Sequence, residues 1–300
     1  MLSREASVTH VTSILNGKGG TGKTSVTCNV AALAAVAGYK TLVVDLDPQH
    51  NTRNDLGYPA PEGEPSPGQL LMGALQGFAE PPMWRNVRHG LDVIAGGEEL
   101  EDWGVIATQQ RQRRRGPPEV ALARLLEPLA HSYDLVLIDC PPGIRELQLL
   151  ALVAARFTLI PTKPDEGSLD GLIRVARLFG EARPHNPDLE LLGVVLFGID
   201  SRASRFRGEI RGQIERELGE PGTVLNATIR HVLIPASEAR ARHQLAHEYE
   251  QARPGVAVTG TTRVAASASG LAADYEELTT ELLERMRDLS TVPAREGVPA

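Results

Sequence analysis

Aromatic side chains are scarce in this chain. Phe, Trp and Tyr make up 4% of its 300 residues. Any large core must therefore be filled by Leu, Val, Ile and Ala, within an apolar share of 42%. Cysteine is nearly absent: Cys28 and Cys140 are the two present. Neither has a CxxC partner, which argues against a disulfide framework or a zinc site, and both read as small core residues. No apolar run approaches the roughly 20 residues needed to span a bilayer. Met1 to His10 holds no apolar h-region, so no secretory signal is expected. A soluble, reducing, cytoplasmic setting follows as the expectation. An excess of basic charge is also lacking: 31 Lys and Arg stand against 38 Asp and Glu, a net charge of −7. Contact with nucleic acid would have to come from a local patch.

What is present is an alternation of strand and helix patterns, which argues for a parallel sheet covered on both faces. Strands are predicted at 11–15, 41–45, 91–95, 134–139, 157–161, 191–197 and 228–234 from their β-branched and apolar runs. The segment 256–261 reads as a short extra strand or a loop. Helices are predicted at 25–37, which stops at Gly38, and near 118–130, 169–179 and 271–289. In the last of these, Leu271, Tyr275, Leu278, Leu282, Met286 and Leu289 recur at spacings of three and four and form one apolar stripe. Asp274, Glu277, Glu281 and Glu284 make its polar face acidic, which suits docking on a core and opposes binding to anionic lipid. Residues 59–68 read as a Pro- and Gly-rich loop, and Arg111 to Arg115 as a basic exposed stretch. The expected organisation is a flexible N-terminus over 1–8, one α/β domain over 9–289 and a disordered tail over 290–300.

The chemistry concentrates in the glycine-rich segment. Gly17, Lys18, Gly19, Gly20, Thr21, Gly22, Lys23 and Thr24 satisfy G-x-x-x-x-G-K-[ST] between a predicted strand and a predicted helix. Backbone N–H groups in such a loop point inward, and the helix N-terminus adds partial positive charge, so together they form a concave site for a triphosphate. Lys23 would reach the terminal phosphates, the Thr24 hydroxyl would ligate Mg²⁺, and Ser25 completes the binding segment. Val44-Asp45-Leu46-Asp47-Pro48-Gln49 follows the second strand. Ligands of open α/β sheets bind beyond the carboxyl ends of the strands, so these carboxylates fall at the triphosphate. Asp139, followed by Cys140-Pro141-Pro142-Gly143, ends an apolar strand in the manner of a Walker B carboxylate facing a metal.

The loop holds an early lysine, Lys18, that an ordinary P-loop does not require. Asn16 to Thr24 resembles the deviant P-loop of the ParA/MinD ATPases. Asp45 to Gln49 resembles that family's D-x-D-P-Q switch segment, and Asp139 to Gly143 its D-x-P-P-G. The likeness extends over most of residues 9–290, with weaker matches at 161–172 and 192–196. It implies a doubly wound, mainly parallel α/β fold with helices on both faces. It further implies ATP and Mg²⁺ as cofactors, and a homodimer in which Lys18 crosses to the partner's nucleotide. Asp47 would position the attacking water, Asp45 and Asp139 would support the metal with Thr24, and Lys18, Lys23 and Asp47 would be the catalytic residues. Family members often carry I-P-R-N before the closing helix. Here the segment from Thr228 to Glu238 departs from that pattern, so ATP over GTP rests on the resemblance and no base-contacting residue is named.

Within the family, the iron–sulfur members need free cysteines, and the membrane-bound MinD-like members need a basic amphipathic C-terminal helix. Neither pattern is found here. The resemblance then implies a ParA-type DNA partition ATPase that binds double-stranded DNA nonspecifically. A ParB-like centromere-binding protein would stimulate its slow hydrolysis. Phosphate contact needs cations, and Arg202, Arg205, Arg207 and Arg211 cluster near the start of a predicted helix. Arg230, Arg240 and Arg242 form a second group. A positioning ATPase for a protein cargo, and a MinD-like membrane-associated regulator, are the alternative readings.

Overall fold

The computed structural model describes residues 11–59, 64–114, 116–164, 168–200, 204–252 and 261–291. The residues expected as a flexible N-terminus, most of the expected tail, and 256–260 lie outside this set. In chain order the elements begin with β1 (Val11–Ile14), α1 (Lys23–Val36), β2 (Thr41–Asp45), α2 (Asn51–Leu56) and α3 (Pro67–Leu75). They continue with β3 (Met83–Arg88), β4 (Leu91–Ile94), α4 (Trp103–Gln112), α5 (Ala121–Ala130), β5 (Leu135–Asp139) and α6 (Arg145–Ala154). The last are β6 (Phe157–Thr162), α7 (Ser168–Ala182), β7 (Glu190–Ile199), α8 (Ser204–Leu218), β8 (Val224–Arg230), α9 (Leu233–Ala241), α10 (Ala246–Gln251) and α11 (Thr261–Thr291).

The strands β1, β2 and β5 are buried along their whole lengths. That matches their near-continuous apolar sequences, as strands covered on both faces require. One sheet results, in the order β3-β4-β2-β5-β1-β6-β7-β8. All of its pairings are parallel except that of β3 with β4. Alternate residues feed opposite faces. Leu42 and Val44 join the core beneath α3 to α8, whereas Val43 and Leu137 join the core beneath α1, α10 and α11. The small side chains Ala31, Ala32, Ala34 and Ala35 let α1 lie close to the sheet, and Gly38, at φ +93°, turns the chain back toward β2.

Register decides what the carboxyl end of the sheet presents. Asp45 pairs with Asp139, and Asp139 pairs with Ile14, the last residue of β1. Both aspartates are therefore adjacent to the loop in one row.

The last strand differs from its predicted span. It occupies Val224–Arg230, and of the apolar run Val232-Leu233-Ile234, Val232 is the extended residue that precedes α9 and Leu233 and Ile234 begin it. His231 N–H donates to the Ile199 carbonyl and ends the pairing. Pro235 then falls in the first turn of the helix, where its missing N–H costs nothing. Leu233 and Ile234 remain 74% and 51% exposed. Sequence patterning also missed β3, which pairs irregularly with β4, and α4, whose apolar residues are few.

The closing helix runs longer than expected, over Thr261–Thr291, and its predicted stripe packs on the core. Its acidic face is not wholly solvated. The strand β8 is an edge strand, whose unpaired N–H groups need partners. The Glu281 carboxylate accepts from the N–H groups of Asn226 at 2.9 Å and Ala227 at 2.8 Å. The Asp274 carboxylate accepts from the Arg230 N–H at 2.8 Å. These bonds close much of the edge. Replacing Glu281 by Ala should leave two backbone donors without their carboxylate. The expected loss is about 1–3 kcal/mol, read as a lower urea midpoint at unchanged slope.

Candidate nucleotide site

The loop between β1 and α1 is fixed from below. Asn16 donates through Nδ2 to the Pro161 carbonyl at 2.8 Å and to Thr162 Oγ1 at 3.2 Å, and its Oδ1 accepts from the Lys18 N–H at 3.0 Å. One side chain thus ties the start of the loop to the end of β6. Gly20 and Gly22 take φ of +71° and +88°, a region that side chains disfavour. At Gly22 a Cβ would also lie 2.3 Å from the Phe197 ring of β7, so the close approach needs glycine twice over.

Lys23 opens α1 and is buried. Its ammonium donates to the Lys18 carbonyl at 3.1 Å, placing the charge under the loop. Burial lowers its pKa, with the Asp139 carboxylate opposing the shift. Thr24 donates to Asp139 Oδ2 at 2.7 Å, and Thr27, one turn along, to Asp139 Oδ1 at 3.3 Å. Across the register, Asp45 accepts from the Asp47 N–H at 2.9 Å and from the Thr52 hydroxyl, which Tyr58 supports at 2.8 Å. Asp47 in turn accepts from the Gln49 N–H at 3.0 Å and forms a tight turn ahead of α2. Lys18, by contrast, is exposed on the loop.

Burial is the main force on the two carboxylates. It raises Asp45 to about 7 against the bonds from Thr52 and Asp47. It raises Asp139 well above the ordinary range, with the Asp45 charge adding to the shift. Two desolvated, adjacent carboxylates beside a threonine hydroxyl make a donor set suited to a hard divalent cation. Among the described residues no group of three or more His, Cys, Asp or Glu could hold a metal by itself.

A cavity of about 300 Å³ opens above this cluster, lined among others by Gly20, Lys23, Thr24, Asp47, Asn51 and Arg240. A neighbouring cavity of about 370 Å³ shares Ser25, Phe197 and Arg240 with it and extends to His231, Leu233 and Tyr275. Sequence reasoning found the loop and the aspartates but not Asn51, Phe197 or the place of Arg240. Arg240 donates through Nη2 to Asn51 Oδ1 at 2.9 Å, and its Nε lies 3.1 Å from Asp55 Oδ1. It thereby fastens α9 to α2. The partners are 189 positions apart, and no local signal announces such a contact.

Of the arginines expected to face DNA, Arg211 and Arg230 are held by partners within the chain. Arg202 lies outside the described residues, and Arg205 is placed only by the backbone of α8. Arg207 is half-buried on α8. Arg211 donates to the Val224 and Leu225 carbonyls at 2.8 and 2.7 Å. Arg230 forms a two-pronged bond to Asp274, both contacts at 2.7 Å. Cys28 and Cys140 are buried and unpaired. No helix among the described residues is long and apolar enough to cross a membrane.

A family model described as an AAA domain matches residues 9–191. The chromosome partitioning protein ParA of Myxococcus xanthus is 34% identical over 221 residues, which span 72% of this chain and 75% of that protein. The chromosome-partitioning ATPase Soj of Thermus thermophilus is 32% identical over 227 residues, 74% of this chain and 83% of that protein. Among solved structures, cobyrinic acid a,c-diamide synthase from Mycobacterium smegmatis, with bound ATP analog and magnesium, superposes with a TM-score of 0.68 at 25% identity. The match covers 92% of this chain and 94% of that one. With the glycine-rich loop, the buried aspartate pair and the sheet order that joins them, these matches assign the chain to the ParA-type family of P-loop ATPases.

Proposed function

We propose that this chain is a DNA partition ATPase, serving a plasmid or a chromosome, that dimerises on ATP, binds DNA nonspecifically and releases it after partner-stimulated hydrolysis. The observation that carries the reading is the lysine pair in one loop. Lys23 is held beneath the loop, whereas Lys18 is exposed on it, where a second subunit could meet it. The relatives that are named as partitioning proteins support the DNA cargo.

In this reading the triphosphate occupies the 300 Å³ cavity, cradled by the loop N–H groups and the N-terminus of α1. The nucleoside extends into the neighbouring cavity past Phe197. Thr24, Asp45 and Asp139 would hold Mg²⁺, which neutralises phosphate charge when bound. Asp47 orients the attacking water. Phosphoryl transfer asks for in-line geometry and charge neutralisation rather than covalent chemistry from the protein, and lysines on both sides of the phosphates supply the second. In each subunit Lys18 reaches the other's nucleotide, so dimerisation and ATP occupancy are one event. A ParB-like centromere-binding protein then accelerates hydrolysis, and the dimer and its DNA contact dissolve together. Arg205 and Arg207, at the start of α8, and Arg202, which lies outside the described residues, are the cations assigned to DNA phosphates. Arg211 and Arg230 join them only by leaving their present partners.

The central test is DNA retention with ADP, ATP and a nonhydrolysable analogue over a salt series. Retention is expected with ATP and the analogue alone, declining steeply with salt. Equal retention in every nucleotide state, or none, would remove the DNA cargo. An intact ATP-driven dimer that ignores DNA would point to the positioning of a protein cargo, and one that sediments with liposomes to a membrane regulator. Lys18→Ala should keep nucleotide binding and abolish the ATP-dependent dimer in light scattering; an unchanged dimer would dismiss the crossing lysine. Asp47→Ala should retain ATP and DNA while turnover falls, by about 10² or more for a positioned general-base or water-orienting group.

Arg240 touches the phosphate cavity and the helix that follows Asp47. Arg240→Ala should weaken ATP binding about tenfold or more, the scale of one lost charged hydrogen bond. Isothermal titration checks it. Arg240→Lys should recover only part of the affinity, because an ammonium cannot hold Asn51 and Asp55 with one planar fork.

A further inference from the structure

A cavity of about 540 Å³ lies away from the candidate nucleotide site and shares no lining residue with the cavity there. It is a groove between the end of α3, one face of α4 and the start of α5. Its floor is apolar, built from Leu75, Ile106, Ala121 and Leu125, over the core that these helices share. At its rim the chain turns sharply at Gly77, φ +80°, and sets Phe78 outward with 74% of its surface in water. A large aromatic side chain left in water beside a concave apolar floor is uncommon on a surface with no partner.

The charge at this groove has one sign. Arg113 and Arg124 line it, and no acidic side chain does. Both arginines are exposed, and neither makes an ion pair with a described residue. Arg111, two residues before Arg113, is already neutralised by Glu119. Arg113 and Arg114 belong to the basic run that the sequence exposes and that the nucleotide site does not use. Against a net charge of −7 for the whole chain, this local cationic rim is the more distinct. Gln76, Gln109 and Gln110 add hydrogen-bonding groups along the walls.

We propose that this groove is a docking site for an acidic amphipathic helix of another protein. Its apolar side chains would lie on the Leu75–Ile106–Leu125 floor against Phe78, and its carboxylates would face Arg113 and Arg124. A slot between helices accepts an amphipathic helix through residues at i, i+3 and i+4. Paired charges at the rim set orientation and speed the encounter. DNA fits less well, because a duplex offers phosphates but nothing to fill an apolar slot. This proposal does not rest on the partition reading.

The test uses the full chain as bait for a random-peptide phage library, with the enriched peptides synthesised and titrated by fluorescence anisotropy. Enriched sequences should be acidic with aromatic or aliphatic residues at helical spacing. Their affinity should fall about tenfold or more, both in Arg113→Glu/Arg124→Glu and in Phe78→Ser, as expected for groups at the centre and rim of one interface. All of these residues are exposed, so circular dichroism and ATP turnover should match the unsubstituted protein. No enrichment, enrichment of neutral or basic peptides, or unchanged affinity in the variants would overturn the proposal. So would displacement of the peptide by short duplex DNA whose own retention is lost in the double-arginine variant, since that marks a nucleic-acid surface.

Discussion

Two carboxylates stand side by side at the end of the sheet, out of water, and the surrounding structure is arranged around making that tolerable. Asp45 and Asp139 are paired in register and fully buried. An isolated ionised carboxylate there would be prohibitively costly. Hydroxyls from Thr24, Thr27 and Thr52 and the N–H of Asp47 donate to them, and the buried Lys23 supplies the nearby cation. Each donor comes from an element whose position the sheet order dictates. The loop and α1 leave β1, which lies beside β5, while the Asp47 turn and α2 leave β2 on the other side. The same constraint explains why the donor set fits a cation bound with phosphate: charge brought by the ligand completes a cluster that the protein leaves electrostatically unfinished.

Much of this centre was legible beforehand, for a physical reason. Strands buried on both faces must be continuous apolar runs, so β1, β2, β5, β6 and β7 announce themselves, and a glycine loop after the first of them has few other uses. The observed ranges of β2 and β5 depart from expectation by at most one residue. What stayed hidden depends on partners distant in sequence. The strand β3, unlike the predicted β4, was missed; it is held to β4 through Asp92, which accepts from the Asn86 N–H at 2.7 Å, from Arg85 and, from 41 positions away, from Tyr133. The Val232–Ile234 run looks like a strand locally. It is a helix start because β8 has already ended its pairing at Ile199.

Arg240 shows the same limit within the site. By sequence it belongs to a basic group with Arg230 and Arg242. In space the three arginines have different occupations. Arg242 sits near Glu238 at 3.8 Å, Arg230 holds Asp274, and Arg240 crosses to α2. Because α2 follows directly from the Asp47 turn, a shift in that turn must either carry Arg240 with it or break two contacts. The structure thus ties the segment expected to respond to the terminal phosphate to α9, which borders the second cavity.

Arginine clusters are ambiguous in sequence because one chemistry serves two ends. A guanidinium fork binds paired oxygens, whether they belong to phosphates or to the carbonyls and carboxylates of its own chain. The edge strand β8 is where that choice is made here. Its carbonyls at Val224 and Leu225 take Arg211 from α8, and its final residue, Arg230, is fixed by Asp274 of α11. An edge strand flanked by two helices needs such clasps on both sides, since its open backbone would otherwise invite another strand. Arginines near such an edge are therefore drawn inward in proportion to the acceptors it leaves open.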